Sequence, residues 1–344
     1  MKIGILTHPL HSNYGGILQC YALNTYLRKL GHDTVVIRRV PNKQFFLKRW
    51  LKYILRIIGV SRFRIKQTDN KSINLSRFVN SYIDYTTPVD SMRKMKSICR
   101  KYNLDSVVVG SDQVWREDFA MNYGYNYFLD FVPKNVVKLS YAASFGLSEW
   151  HYNSAQTSRI KELLSEFRGV SVRELDGVKL CEDYLKLTPS LLIDPTLLLD
   201  KEDYEKISSS RLVEEKYVFV YWLGDKRSIA DTILKYQEDG YKIVDIQLRS
   251  KSTLPSIEDW LSYIQFADFV ITDSFHGCVF SLIFNKNFCI HTNDSGGNGR
   301  LTSLFTLLDI KEAGNMVQPN YDRVASILTD LRCRSYEFFN ITLR

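Results

Sequence analysis

The chain has 344 residues, 45% of them apolar, with 21 tyrosines and 19 phenylalanines, enough for two domains with packed cores. Its net charge of +8 is matched by one stretch alone, where Lys43, Lys48, Arg49, Lys52, Arg56, Arg62, Arg64 and Lys66 occur with no acid between them, so the basic balance is no general sign of nucleic-acid binding. Six separate cysteines (Cys20, Cys99, Cys181, Cys278, Cys289, Cys333) without a CxxC pair argue for reduced thiols and against a zinc site or disulfide framework. The apolar start Met1–Leu6 reads as too short for a secretory signal, and no apolar run reaches the roughly 18 residues of a spanning helix.

Lys2–His8 reads as a strand and Pro9–Asn13 as a loop. Gly15-Gly16 then opens the helical spacing Ile17, Cys20, Leu23, Leu27, Leu30, which stops at Gly31, and Asp33–Arg39 is the next strand. This βαβ unit implies a parallel sheet with a right-handed crossover. The Asn13–Gly16 turn sits where Rossmann folds hold ligands but lacks the G-x-G-x-x-G spacing, so it reads as a close-approach glycine turn. Within 43–66, Phe46, Leu47, Trp50, Leu51, Ile54 and Ile58 share one helical face, and Lys48, Arg49, Lys52 and Arg56 fall largely on the other. That pattern suits an interface with anionic lipids; the other readings are an insertion helix packed on its own domain with solvated charges, or a nucleic-acid contact.

Asp105–Val109 is a strand ending in Gly110-Ser111-Asp112-Gln113, and Lys138–Ser144 one ending in Phe145-Gly146, followed by a polar helix to about Arg168. Val170–Arg173 gives a strand ending in Arg173-Glu174, Asp176–Leu187 a helix, and Leu191–Ile193 a strand broken by Asp194-Pro195-Thr196. Leu197–Glu215 looks like a connector. Strands then follow over Tyr217–Tyr221, Tyr241–Leu248, Phe269–Ile271 and Asn287–His291, with helices over Ser228–Gln237, Ile257–Ala267, Cys278–Phe284 and Leu301–Leu308. The expected architecture is α/β, two doubly wound Rossmann-like domains facing a cleft: 1–196 with the insertion at about 43–66, a connector at 197–215, 216–320, and a last helix in 321–344 packing back on the first domain.

The stretch Thr272-Asp273-Ser274-Phe275-His276-Gly277 is a strand end that opens a helix, where unpaired N–H groups and a helix dipole favour an anion. Across a cleft, the first domain would offer Asn13, Gly15, Gly16, Ser111, Asp112, Gln113, Ser144, Arg173 and Glu174. The second would offer Asp273, Ser274, His276, Gly277 and Arg300, the last following the glycine-rich loop Ser295–Gly299. Two arginines, a histidine and a helix mouth read as a site for a phosphorylated or carboxylated small anion. No metal-ligand spacing accompanies them, so neither a metal nor a cofactor is expected.

Six motifs in this order resemble the polysaccharide pyruvyl transferase family: N-Y-G-G-x-L-Q-x-Y-A-L at Asn13–Leu23, G-S-D-Q-V-W at Gly110–Trp115, Y-A-A-S-F-G at Tyr141–Gly146, S-V-R-E at Ser171–Glu174, D-P-T at Asp194–Thr196 and T-D-S-F-H-G at Thr272–Gly277. The resemblance implies a GT-B-type fold and transfer of pyruvate from phosphoenolpyruvate onto two hydroxyls of a sugar, as a cyclic ketal in a cell-surface polysaccharide precursor. It places the donor-contacting arginine on Arg173 and the family histidine on His276, as general acid or phosphate-binding imidazolium. It further implies a lipid-linked sugar acceptor and a cytoplasmic enzyme peripheral to the inner face of a bacterial plasma membrane. Members with an arginine two residues before the histidine differ from this chain, which has Ser274 there; Arg300 is the candidate replacement. Asp112 and Asp273 both stay open as the base. A nucleotide-sugar glycosyltransferase of the same fold, or a non-catalytic glycan- or lipid-binding module, are the alternative readings.

Overall fold

The computed structural model describes residues 1–40, 70–246, 252–290, 298–313 and 315–344. The basic stretch 43–66 and the first part of the Ser295–Gly299 loop lie outside the described residues.

Short β-branched runs build the first sheet: β1 (Lys2–Leu6), β2 (Asp33–Val36), β3 (Ser106–Gly110) and β4 (Val137–Tyr141), parallel throughout and ordered β2-β1-β3-β4. β3 is buried on both faces, as its unbroken Val107-Val108-Val109 run requires in a sheet covered by helices on both sides. α1 (Tyr14–Lys29) connects β1 to β2. The expected Asn13–Gly16 turn is instead the first turn of this helix: Asn13 caps it, accepting from Gly16 N at 3.1 Å, so Gly15 and Gly16 are already helical. Gly31, at φ +85, ends it in the left-handed region. α2 (Ile73–Tyr82) and α3 (Met92–Lys101) occupy a stretch for which the sequence reading named no element. Each is anchored by only three buried apolar residues, Leu75, Phe78 and Val79 or Met95, Ile98 and Cys99, too thin a stripe to stand out among basic neighbours. The short parallel pair β5 (Ser171–Val172) and β6 (Ser190–Leu191) continues this side of the molecule through bridges from Leu139 to Gly169 and Ala143 to Val172.

A second sheet has a parallel centre, β10-β9-β7-β8, made by β7 (Tyr217–Tyr221), β8 (Lys242–Asp245), β9 (Phe269–Thr272) and β10 (Phe288–Ile290). Beyond β10 it gains an antiparallel edge, β12 (Met316–Val317) and β11 (Glu312–Ala313), which the sequence reading did not include. Two-residue strands show no alternation to read.

The two halves share one apolar core, running from Ile3 and Ile5 through Leu23 to Trp260, Phe280 and Phe339. Between β3 and the last helix, in chain order, run α4 (Glu117–Ala120), α5 (Ser154–Leu164), α6 (Leu175–Leu180), α7 (Lys201–Glu205), α8 (Ala230–Glu238) and α9 (Ile257–Gln265), followed by α10 (Phe275–Ile283) and α11 (Asn298–Leu307). The long C-terminal helix α12 (Tyr321–Thr342) returns to the first sheet: Phe339 stacks on Tyr141 at 4.7 Å, and the Tyr141 hydroxyl donates to Ser335 Oγ at 3.1 Å. Among the described residues no helix is long and apolar enough to cross a membrane.

Candidate active site

β9 ends at Thr272, and α10 (Phe275–Ile283) begins three residues later. Ser274 is its N-cap, accepting from Gly277 N at 3.4 Å, while Thr272 Oγ1 donates to Tyr221 O at 2.7 Å and accepts from Ser274 N at 3.1 Å. A Cβ on Gly277 would stand 2.2 Å from Thr272 Oγ1, so only glycine lets the helix start this close to its strand. Asp273 accepts from Leu223 N at 2.7 Å and Gly224 N at 2.8 Å, clamping the loop after β7.

His276, in the first turn of α10, faces the other half of the molecule. A Cβ on Gly15 would lie 2.0 Å from its Nδ1; the imidazole therefore rests flush on α1. Tyr14, the first residue of α1, reinforces the seam, donating to Pro255 O at 2.8 Å and stacking on Trp260.

On the far side of the imidazole lies Asp194, buried, with one oxygen accepting from Thr196 N at 3.0 Å and Thr196 Oγ1 at 2.6 Å. Its other oxygen pairs with Arg173 Nη1 and stands 3.7 Å from His276 Nε2. Arg173 is also 3.8 Å from Asp112 and 3.9 Å from Glu174, and its guanidinium lies 4.4 Å from the centre of the Phe275 ring. Arg300, from α11 (Asn298–Leu307), approaches the same ring at 5.8 Å.

Burial works to raise the pKa of both Asp112 and Asp194, but the Arg173 guanidinium, with His276 among the lesser contributors, holds each carboxyl below its usual range. Asp194 is held furthest down. Glu174 goes the other way, because burial outweighs Arg173. For Arg173, burial opposes the charge and the carboxylates of Asp194, Glu174 and Asp112 more than restore it, whereas burial followed by the repulsion of Arg173 lowers the pKa of Arg300.

A cleft of about 740 Å³ opens over this cluster. Asn13, Asp112, Gln113, Asp273, Ser274, His276 and Arg300 line it. Of the other residues proposed from sequence, Gly15 and Gly16 form the seat of the imidazole and the capped turn, and Gly277 the helix start. Three of the residues expected to line the cleft are spent behind it. Ser111 N donates to Gln19 Oε1 and its hydroxyl to Ala142 O; Ser144 Oγ accepts from Gly146 N; Glu174 Oε1 accepts from Phe145 N at 2.9 Å. These buried polar groups hold strand-end loops in place and are not open to a ligand. The sequence reading left out Asp194 and His8 as site residues. In sequence Asp194 reads as a strand breaker and as the first residue of the D-P-T motif, with no role attached, although an acid just past a strand end, beside Pro195, is a recognisable signal.

Among the described residues, five buried nitrogens of the cluster have no hydrogen-bond partner: Nε and Nη2 of Arg173, Nε of Arg300, and Nε2 of His276 and His8. Buried polar groups are ordinarily satisfied, and Glu174 Oε2 stands without a hydrogen-bond partner beside these nitrogens, so the cluster can both donate to and accept from a bound molecule.

The profile of the polysaccharide pyruvyl transferases matches residues 13–295. The chain belongs to that family. The family is one of enzymes, whose name specifies a pyruvyl group and a polysaccharide. Among curated protein sequences none matches the chain. Solved structures give the fold. A putative UDP-N-acetylglucosamine 2-epimerase from Listeria monocytogenes is 12% identical with a TM-score of 0.52, over 99% of this chain and 90% of that one. The UDP-GlcNAc 2-epimerase of Methanocaldococcus jannaschii is 12% identical with a TM-score of 0.50, over 96% and 99%. S. aureus MnaA, solved with UDP, is 11% identical with a TM-score of 0.51, over 99% and 90%. At these identities the likeness establishes a GT-B-like arrangement of two parallel sheets about a cleft.

Proposed function

We propose that this pyruvyl transferase uses phosphoenolpyruvate as donor and closes a cyclic ketal across two hydroxyls of a sugar in a cell-surface polysaccharide precursor. The observation that carries the reading is the cluster of cationic donors at the mouth of α10, where His276 and Arg300 line the cleft and Arg173 stands behind them against Asp112 and the Phe275 ring. A carboxylate and a phosphate on a three-carbon unit supply the oxygens those donors lack.

In the reaction, protonation of the methylene carbon makes the adjacent carbon electrophilic, one sugar hydroxyl adds, phosphate leaves, and the second hydroxyl closes the ring. Of the two hydroxyl protons, one balances the new methyl group and the other departs with phosphate. His276 is the proton donor, oriented by Asp194 on one side and Gly15 on the other. Asp112 is the better candidate base: it lines the cleft, and its lowered pKa keeps it ionised, whereas both oxygens of Asp273 already hold backbone N–H groups. Arg173 and Arg300 bind the donor and offset the charge that develops on the leaving phosphate. No metal or other cofactor enters this scheme.

The test is phosphate release from phosphoenolpyruvate across a panel of sugar acceptors. His276→Ala and Arg173→Lys are each expected to lower turnover by roughly 10²-fold or more; wild-type rates in both would remove the assignment. We further infer that the acceptor is lipid-linked and met at the inner face of a bacterial plasma membrane, on the strength of the basic and aromatic composition of 43–66. Neutralising Lys48, Arg49, Lys52 and Arg56 should then reduce co-sedimentation with anionic liposomes; unchanged sedimentation would refute it.

A further inference from the structure

A second cavity, of about 460 Å³, lies beside the cleft at the carboxyl edge of the first sheet. β1 leads into His8 and His11, and β2 leads into Arg38 and Arg39, so four nitrogen-bearing side chains reach it from adjacent strand ends. Its described lining includes no aspartate or glutamate. Each arginine lies over a tyrosine that also lines the cavity: Arg38 is 5.5 Å from the Tyr85 ring centre and Arg39 is 5.0 Å from that of Tyr123. Arg39 bonds to Asn126 Oδ1 and the carbonyls of Val40 and Val89, all neutral acceptors. Burial accordingly lowers its pKa, and the nearby Tyr123, Tyr127, Asp90 and Asp130 do not restore it.

The two cavities are neighbours. His11 lines both. His8 lines the second cavity, carries a buried Nε2 without a partner, and contributes to holding down the pKa of Asp112 in the cleft. The second cavity thus adjoins the cleft through His11, with His8 near enough to Asp112 to act on its charge.

We propose that this second cavity is the acceptor subsite and that it takes an anionic sugar, one bearing a phosphate or a carboxylate. The anionic group meets Arg38 and Arg39, the sugar ring lies against the tyrosine faces, and its hydroxyls point past His8 toward Asp112. The word acceptor rests on the pyruvyl-transfer reading; the preference for an anionic sugar rests on the lining alone.

Binding to the full-length protein separates the two. Galactose 1-phosphate, glucuronate and methyl galactoside serve as probes in titration calorimetry, with phosphoenolpyruvate binding followed in parallel by thermal shift. One or both charged probes should bind at least about tenfold more tightly than the neutral one, and the stronger identifies the anion. Arg38→Ala, at an exposed position that does not endanger folding, should remove about tenfold of that affinity and Arg38→Glu nearly all of it, with the phosphoenolpyruvate shift unchanged. Equal affinity for charged and neutral probes, or full binding in Arg38→Glu, overturns the anionic-sugar assignment. Arg38-dependent binding without phosphate release by any acceptor would sink the transfer reading and leave the pocket standing. Phosphate release whose acceptor KM ignores Arg38→Glu would sink the pocket as acceptor subsite and leave the transfer reading standing.

Discussion

Arg173 and Arg300 stand over the same phenylalanine ring, yet they come from halves of the molecule that handle charge in opposite ways. Arg173, from the first half, has Asp194, Glu174 and Asp112 all within ion-pair distance and keeps its proton firmly despite complete burial. Arg300, from the second, is depressed by burial and by Arg173 itself, with Asp112 and Glu174 helping only at longer range. One half is neutralised within the protein; the other keeps a cation that no carboxylate among the described residues pairs directly, and on the proposed function an anion would complete it. A cleft built this way holds its geometry when empty and still gains electrostatic energy on loading.

Removing the neutralising partner should hurt most. Asp194→Asn leaves a buried guanidinium short of its main counter-charge, and a loss of roughly 3–5 kcal/mol is expected, read from urea unfolding at neutral pH. The same variant fixes the sign of the acid response. Asp194 has a folded pKa below its unfolded value of about 3.9, so its contribution is present above that pH and is lost as pH falls below it. Glu174, raised on folding, contributes in the opposite sense, below its ordinary value of about 4.3, and loses that contribution as pH rises through its folded pKa. Melting temperature followed downward from pH 5 should therefore fall less steeply in Asp194→Asn than in wild type. Parallel slopes would mean that Asp194 is not the group that distinguishes the two halves.

Gly15→Ala is expected to come next. The added carbon overlaps the His276 ring at the contact between halves, costing about 1–3 kcal/mol as an overpacked site, with turnover falling further than stability alone explains. Normal turnover would show that the imidazole is free to move away. The smallest effect belongs to Arg300→Lys, which keeps a cation in the second half: a donor KM raised about tenfold with folding stability unchanged. If Arg300→Lys destabilises the protein as much as Asp194→Asn does, the contrast between a pre-neutralised and a ligand-completed half is wrong.

Much of this was legible in the residues. Strand ends carry the chemistry in a doubly wound fold, so the turns after β3, β5 and β9 pointed to Asp112, Arg173 and His276 before any coordinates. The helix read over Cys278–Phe284 starts one turn earlier, at Phe275, because Ser274 caps it. What composition and spacing could not convey was how each polar group is used. Ser111 and Ser144 have the same hydroxyl whether they meet a substrate or the backbone, and only their burial assigns them to the scaffold. Asp194 lies 21 residues from Arg173 in sequence, and no periodicity links a strand breaker to the guanidinium it neutralises. The arginine pocket was hidden for another reason: Arg38 and Arg39 read as the polar end of a strand, and Tyr85 and Tyr123, which complete it, come from elements the pattern did not reveal.

The glycine at the start of α1 has a mechanical consequence. With the His276 ring seated on a face that lacks a side chain, the aim of Nε2 is set from both halves at once: its own helix carries the ring and α1 backs it. A change on either flank of that seam therefore reaches an imidazole it need not touch.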